Sequence, residues 1–177
     1  CIVNNAATVA AIYMAVAKST PLTHMLVTVS GDAIAEPQNF KVPVGTDFGE
    51  IIEAAGGFKS DPEKIVFGGP MMGMSMYTYN VPVTKTTSSI LGFVKDEAAV
   101  EESACIRCGK CHEHCPLNLM PIRLQMFGLH NDYEKFEKNY GMECCGCGCC
   151  SYVCPAKRSL KQTIVQTKQL ILSKKHS

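Results

Sequence analysis

The sequence lacks the features that point to nucleic acid or to a membrane-spanning segment. It has no tryptophan, seven phenylalanines and six tyrosines, so it offers no evident aromatic platform for stacked bases. A formal net charge of +1 provides no general basic surface for nucleic acid. The longest apolar stretch, residues 6–17, is about half the roughly 20 residues that a transmembrane helix needs. No signal-peptide pattern is visible either, so we expect no nucleic acid partner and at most a peripheral membrane association.

Cysteine is what the sequence has in excess, with eleven residues. Ten of them lie between Cys105 and Cys154, whereas Cys1 stands alone and receives no role. A secreted disulfide scaffold spreads its cysteines along a short exported chain. Clustered cysteines without an export signal favour reduced thiolates that bind metal. Because the chain begins at Cys1 without a methionine, we also expect it to be a piece of a longer polypeptide.

The pattern Cys-x-x-Cys-x-x-Cys-x-x-x-Cys-Pro occurs twice, 39 residues apart. A 4Fe-4S cubane needs four thiolates, one for each iron, and two-residue gaps let one loop supply three of them. In two-cluster ferredoxins the fourth cysteine of each motif binds the other cluster. The spacing therefore predicts two 4Fe-4S clusters with crossed ligands. Cluster one takes Cys105, Cys108, Cys111 and Cys154, and cluster two takes Cys144, Cys147, Cys150 and Cys115.

Structural zinc is the alternative metal, and two Cys-x-x-Cys pairs would satisfy it. Zinc does not require a third cysteine and a Cys-Pro in each motif, so the iron–sulfur interpretation is preferred. His112 and His114 are interpreted as solvated residues near a cluster rather than as zinc ligands. Cys145 and Cys149 fit neither motif and are interpreted as spare thiols, with a ligand swap as the alternative.

Hydrophobic patterning predicts a small mixed unit before the cysteines. An alanine-rich helix is expected over residues 6–18, with Asn5 as its cap. A later helix capped by Asp47 has one apolar face, and the Gly-Gly-Pro-Met-Met-Gly segment at 68–73 is expected to be a tight turn whose methionines fill apolar gaps. Strands are predicted at 25–29, 40–44 (an edge strand), 64–67 and 89–94. Strands around one short helix indicate a β-grasp-like unit.

After a charged linker at 95–103, the terminal region is predicted to be helical, with the cysteines on connecting loops. One helix is expected around Leu119, Ile122 and Met126, and a second follows the cap Asp132. A capping box of Ser159 and Gln162 is expected to open the last helix. Its apolar face should be Leu160, Ile164 and Ile171. The lysines and arginine after Cys154 are interpreted as a solvated basic face. Docking of these residues to anionic lipid or to an acidic electron donor is the alternative.

Several segments resemble the C subunit of the Rnf electron-transport complex. The motifs GGPMMG (68–73) and CIRCGKC (105–111) are similar to that family, and SYVCPAK (151–157) is similar to its second cluster segment. VTVSGD (27–32) and PVGT (43–46) resemble the family's SLBB domain. The resemblance implies an α+β chain with three parts. These are the tail of a truncated flavin- and NADH-binding domain (1–19), a β-grasp-like SLBB domain (20–98) and an α-helical two-cluster ferredoxin domain (99–177).

The resemblance also implies a function. In the family, the complex exchanges electrons between ferredoxin and NAD and couples this to Na+ or H+ movement, and the C subunit is peripheral on the cytoplasmic side of the membrane. Its partners would be the other subunits and a ferredoxin-type donor or acceptor. Asn4, Asn5 and Thr8 resemble the last edge of the family's FMN site. The glycine-rich nucleotide loop is not in this sequence, so FMN and NAD(H) are expected only in the complete subunit. We assign no catalytic residue and expect this stretch alone not to be catalytic.

Two alternatives remain open at the level of the sequence. A cobalamin-reductase-like protein combines the same SLBB and ferredoxin domains, and corrin binding would distinguish it. A zinc-stabilised interaction module has no redox role, and analysis of iron, zinc and sulfide would distinguish it.

Overall fold

The computed structural model describes residues 1–175, which form two compact units that divide between Asp96 and Glu97. The first unit contains a sheet and two helices, and the second is helical, so the chain is α+β. The three-part division of the sequence, with boundaries after residues 19 and 98, stays a prediction. Residues 176 and 177, the end of the predicted third domain, lie outside the described residues.

The first unit opens with helix α1 (Ala6–Lys18), as the alanine-rich pattern predicts. Asn5 caps it, because its side-chain oxygen accepts a hydrogen bond from the Ala7 N–H at 2.9 Å. None of the residues in α1 is buried. The helix therefore contributes no side chain to the core of this unit.

A five-stranded sheet follows, in the spatial order β2-β1-β5-β3-β4. Its strands are β1 (His24–Ser30), β2 (Gln38–Pro43), β3 (Lys64–Phe67), β4 (Met74–Met76) and β5 (Ser89–Phe93). Among the strands of the described residues, only β1 and β5 pair in parallel, and β2 lies at the edge as expected. The patterning did not predict β4, because three residues are too few for a periodicity to show.

Helix α2 (Phe48–Ala54) covers this sheet with the predicted face. Asp47 caps it by accepting from the Gly49 N–H at 2.7 Å. Phe48, Ile51 and Ile52 are buried against the sheet residues Val27 and Val29, among others. This apolar layer is the core of the first unit.

The segment at 68–73 reverses the chain between β3 and β4, as expected. Gly73 permits the reversal, since a Cβ there would lie 2.5 Å from the Gly69 carbonyl oxygen. Met71 and Met72 are exposed, however, so the expectation that they fill apolar gaps is wrong.

The second unit contains five α-helices within its described residues: α3 (Lys110–Glu113), α4 (Pro121–Leu129), α5 (Tyr133–Lys138), α6 (Cys149–Tyr152) and α7 (Leu160–Lys175). Its core is formed by Leu119, Leu124, Phe136, Ile164 and Ile171. Asp132 caps α5 as predicted, by accepting from the Lys135 N–H at 3.1 Å.

Two details of this unit differ from the sequence prediction. The buried face of α4 contains Leu124 and Gln125, whereas Leu119 precedes the helix and Met126 is exposed. The capping box of α7 is not formed, because the Ser159 N–H donates to Glu102 at 2.8 Å rather than to Gln162. Glu102, which lies in the predicted linker, therefore accepts this hydrogen bond in place of Gln162. Hydrogen bonds from the Ser159 side chain and backbone lower the pKa of the Glu102 carboxyl group.

Candidate metal centre

The two cysteine motifs fold into loops with the same backbone conformation. In each, the residue before the second cysteine has a positive φ: 57° at Arg107 and 68° at Gly146. Gly109 and Gly148, which follow the second cysteines, have φ values of 79° and 85°. This winding directs backbone N–H groups toward sulfur. The Arg107 N–H donates to Cys105 Sγ and the Gly146 N–H donates to Cys144 Sγ, each at 3.4 Å.

The repeat continues beyond the loops into the helices. Gly109 and Gly148 are the N-caps of the short helices α3 and α6, so Cys111 and Cys150 lie in helical first turns rather than on loops. After each Cys-Pro, a residue with φ 51° leads into a longer helix: Asn118 before α4 and Lys157 before α7. The second unit thus contains two copies of one loop–helix–helix element, with α5 between them.

A cavity in the second unit gathers four of the predicted ligands. It is lined by Cys144, Cys147 and Cys150 of the second motif and by Cys115 of the first. Leu119, Leu124 and Ile164 are among the apolar residues that complete its wall. The Leu119 N–H donates to Cys115 Sγ at 3.3 Å. These are the four cysteines that the crossed pattern assigns to cluster two.

Burial makes this cavity unfavourable for uncompensated thiolates. The pKa of Cys150 is raised to about 11, mainly by burial and to a smaller extent by the neighbouring thiols of Cys144 and Cys147. Burial also raises the pKa of Cys144, with smaller effects from Cys145, Cys147 and Cys115. Without a metal, Cys144 and Cys150 therefore favour the neutral thiol form. A positively charged iron centre would stabilise the thiolate form of the four neighbouring cysteines.

The cysteines assigned to cluster one are more exposed. Cys105 and Cys108 are exposed, whereas Cys111 and Cys154 are half-buried. Burial raises the pKa of Cys111, and the nearby Cys154 thiol raises it by a smaller amount. The structure therefore brings the third cysteine of the first motif close to the fourth cysteine of the second. It describes no corresponding contact to Cys105 or Cys108.

The thiols fit a cluster better than a single ion. Within residues 1–175, no three His, Cys, Asp or Glu side chains converge tightly enough to bind one metal ion. A cubane has one thiolate on each of four irons, so its ligands surround a volume rather than a point. The cavity with its four thiols, its apolar wall and its N–H donors to sulfur meets that requirement.

The additional cysteines and histidines have separate positions. Cys145 is exposed and lines the same cavity, whereas Cys149 is the half-buried first residue of α6. His112 and His114 are exposed, and their Nδ1 atoms bond to the Leu119 and Lys110 carbonyls at 2.8 and 3.0 Å. Both histidine side chains thus have backbone partners.

The basic segment after Cys154 is only in part the solvated face that the sequence suggests, since Lys157, Lys174 and Lys175 are exposed whereas Arg158, Lys161 and Lys168 are half-buried. Arg158 Nε donates to Oε1 of the buried Gln125 at 2.9 Å, which links the start of α7 to α4. Lys168 Nζ donates to the Cys144 carbonyl at 3.0 Å. Sequence reasoning missed both contacts, because 33 residues separate the first pair and 24 the second.

The residues assigned to the edge of a flavin site lie at the start of the first unit. Asn4, Asn5 and Thr8 are all exposed, and the Asn5 side chain is used as the cap of α1. Thr8 lines an open cleft with other α1 residues and with Leu26 and Lys41 of the sheet. The assignment of these three residues to the edge of a flavin site stays a prediction.

Two family models match the chain. The model of the SLBB domain matches residues 26–75, and that of the 4Fe-4S binding domain matches residues 98–119. No helix within residues 1–175 is long and apolar enough to span a membrane.

Curated relatives share both regions. The chain is 42% identical to the C subunit of a proton-translocating ferredoxin:NAD(+) oxidoreductase complex from Clostridium ljungdahlii. The matched region has 142 residues and covers 80% of the chain and 31% of that protein. It is 39% identical to the C subunit of the Na(+)-translocating complex from Acetobacterium woodii, over 98% of the chain and 40% of that protein. The C subunit of an ion-translocating oxidoreductase complex from Methanosarcina acetivorans is 35% identical, over 94% of the chain and 37% of that protein. The chain thus spans about a third to two fifths of these relatives.

Proposed function

Because this chain belongs to the C-subunit family of ion-translocating, Rnf-type oxidoreductase complexes, we propose that it is an electron-transfer segment with two 4Fe-4S clusters. Cluster one binds Cys105, Cys108, Cys111 and Cys154, and cluster two binds Cys144, Cys147, Cys150 and Cys115. The observation that supports this most directly is the cavity in which Cys115 meets the three cysteines of the other motif.

A bound cubane supplies one-electron transfer. The chain's own residues supply the thiolates, the backbone N–H donors at sulfur and an apolar wall that excludes water from cluster two. Crossed ligands require the two clusters to lie near each other, which favours electron hopping between them. The exposed Cys105 and Cys108 make cluster one the better candidate for exchange with an outside partner.

Within the complete subunit, the segment relays single electrons between ferredoxin-side partners and a flavin and NAD site. The parallel pairing of β1 with β5 and the single helix on the sheet support a β-grasp-like SLBB domain. The subunit is proposed to be peripheral on the cytoplasmic side of the membrane, in contact with other subunits. FMN and NAD(H) belong to the complete subunit, since the glycine-rich nucleotide loop is not in this sequence.

Anaerobic reconstitution tests the cluster content. The chain should contain about eight iron and about eight sulfide, from two cubanes. Dithionite or a reduced low-potential ferredoxin should bleach the visible absorbance. Stoichiometric zinc without sulfide would contradict the proposal and support a zinc-stabilised module.

A second experiment tests whether NADH can reduce the clusters without a flavin. NADH should not bleach this chain alone, because a hydride carries two electrons and needs a flavin to pass them on singly. The full-length subunit loaded with FMN is the positive control and should be bleached. Rapid bleaching of the flavin-free chain would place the nicotinamide site within this segment and would overturn the assignment.

A further inference from the structure

One face of α7 lies along the loop that supplies cluster two. Lys168 Nζ donates to the Cys144 carbonyl at 3.0 Å, and both residues are half-buried. One turn earlier, the Val165 side chain faces Gly146, where an added Cβ would lie 3.3 Å from Val165 Cγ2. One further turn earlier, Lys161 lines the cavity itself. The face thus brings the Lys168 ammonium group to the backbone of a cluster ligand.

The charge of Lys168 is not neutralised at this position. Within residues 1–175, no carboxylate forms an ion pair with it. The later lysines of α7 have other partners, because Lys174 lies over the Tyr133 ring and Lys175 pairs with Glu137. A half-buried, unpaired ammonium interacts more strongly with a nearby charge than an exposed one does, because solvent screens it less.

The internal repeat shows that this feature belongs to only one of the two motifs. The residue 39 positions before Lys168 is Leu129, the exposed last residue of α4. The counterpart of Lys161 is Ile122. Arg107 and Lys110, the cations in the first motif, are both exposed. The two loops therefore have the same backbone but different electrostatic surroundings.

We propose that Lys168 is a positioning residue that raises the reduction potential of cluster two and leaves that of cluster one nearly unchanged, an inference that rests on the two-cluster function proposed above. Reduction adds one negative charge to the cluster, and a nearby cation stabilises the reduced form more than the oxidised form. Net charge and hydrogen bonding around a cluster are established determinants of its potential. The contact to the Cys144 carbonyl keeps the ammonium group beside the ligand.

The test is a redox titration of the anaerobically reconstituted chain, in which EPR measures the reduced fraction of each cluster at each potential. Lys168→Met should lower the equilibrium constant for reduction of cluster two about tenfold, which is about 59 mV for a one-electron couple. Lys168→Arg retains the charge and should remain close to the wild-type value. Lys138→Met is the matched control, because it removes an exposed lysine of α5 that pairs with Glu134. It should change neither potential.

Two single-cluster backgrounds assign the shift. Lys168→Met should shift the potential when combined with Cys108→Ser, which leaves cluster two, and should not do so when combined with Cys147→Ser, which leaves cluster one. An equal shift in both backgrounds, or none in either, overturns the inference. If Lys168→Met fails to assemble, Lys168→Gln provides the same comparison with a neutral hydrogen-bond donor.

The outcome also separates this inference from the function on which it rests. A wild-type chain without iron and sulfide would refute the two-cluster function, whatever the variants do. Two intact clusters whose potentials do not respond to Lys168→Met would refute only the role of Lys168.

Discussion

At the scale of single residues, the position of Cys115 supports the proposed crossed ligands. Cys115 follows Cys111 in the chain, yet its side chain lines the cavity formed by the second motif. Cys111 lies in α3, whereas Cys115 follows the end of that helix and precedes α4, which begins at Pro121. Cys115 thus lies in the same cavity wall as Cys144, Cys147 and Cys150.

Cys115→Ala should remove cluster two and leave cluster one, although Cys115 belongs to the first motif. The physical reason is that one of four iron atoms in the buried cavity loses its thiolate. Iron and sulfide analysis together with EPR measures the loss. Cys145→Ala is the control, because Cys145 lines the same cavity outside the motif register and its loss should leave both clusters. Loss of cluster one alone after Cys115→Ala would contradict the crossed assignment.

The equivalent positions Arg107 and Gly146 allow a paired test of backbone strain. Both have a positive φ, which costs a non-glycine residue roughly 1–2 kcal/mol. Gly146→Ala should therefore hasten cluster loss, and Arg107→Gly should slow it. The rate at which an iron chelator bleaches the visible absorbance measures both effects. The two substitutions should change the rate of cluster loss in opposite directions. Equal rates for the two variants would show that this backbone conformation does not limit cluster retention.

At the level of elements, the packing of α4 on α7 holds the second unit together. Leu124 of α4 and Ile164 of α7 are buried in one core. The helices approach closely at Gly128, where an added Cβ would lie 2.4 Å from Thr167 Oγ1 and 3.2 Å from Thr163 Cγ2. The two helices follow the two Cys-Pro segments, so a change in their separation should affect both proposed cluster sites.

Gly128→Ala should destabilise the second unit by about 1–3 kcal/mol, because overpacking forces the helices apart. Adding Thr167→Ala should recover part of that loss, since it removes the hydroxyl that the new methyl group would meet. Thermal unfolding followed by circular dichroism gives both values. Met126→Ala on the exposed side of α4 is the control and should stay within about 0.5 kcal/mol of wild type. Additive effects of Gly128→Ala and Thr167→Ala would contradict the proposed contact.

For the whole molecule, the two units depend on different sources of stability. The first has a continuous apolar core between its sheet and α2. The core of the second contains five buried residues and is flanked by the half-buried Cys115 and Cys144. A small core that includes metal-binding thiols is expected to depend on its metal, as in other small metal-binding domains.

Removal of the clusters by a chelator under oxidising conditions should therefore unfold the second unit and leave the sheet of the first. Limited proteolysis should cut after residue 96 and spare the segment before it. The reciprocal variant is Gly31→Ala. Gly31 has φ 118°, and an added Cβ would meet the Gly92 carbonyl oxygen of β5, so the first unit should unfold while the iron content is retained. Joint loss of both units in either experiment would contradict independent stability.

The sequence alone was enough to predict the chemistry of the site. Eight cysteines at fixed spacing predict cubane ligands, because the spacing is a direct requirement of iron coordination. It also predicted α1, α2 and the α2 face, since capping and a 3.6-residue periodicity are local properties. The short strand β4 and the exposure of Met71 were not accessible in this way, because each depends on neighbours distant in the chain.

Only the tertiary structure decided which groups meet. The meeting of Cys115 with the second motif is visible in the cavity, whereas the spacing could only suggest it by analogy. At the start of α7, the Ser159 N–H bonds to Glu102 and not to the expected Gln162. Neither this hydrogen bond nor that of Lys168 with the Cys144 carbonyl leaves a periodic signal in the sequence. The physical reason is that a polar side chain bonds to whichever group packing places within about 3 Å. Here, packing of α7 against the cysteine loop sets that choice.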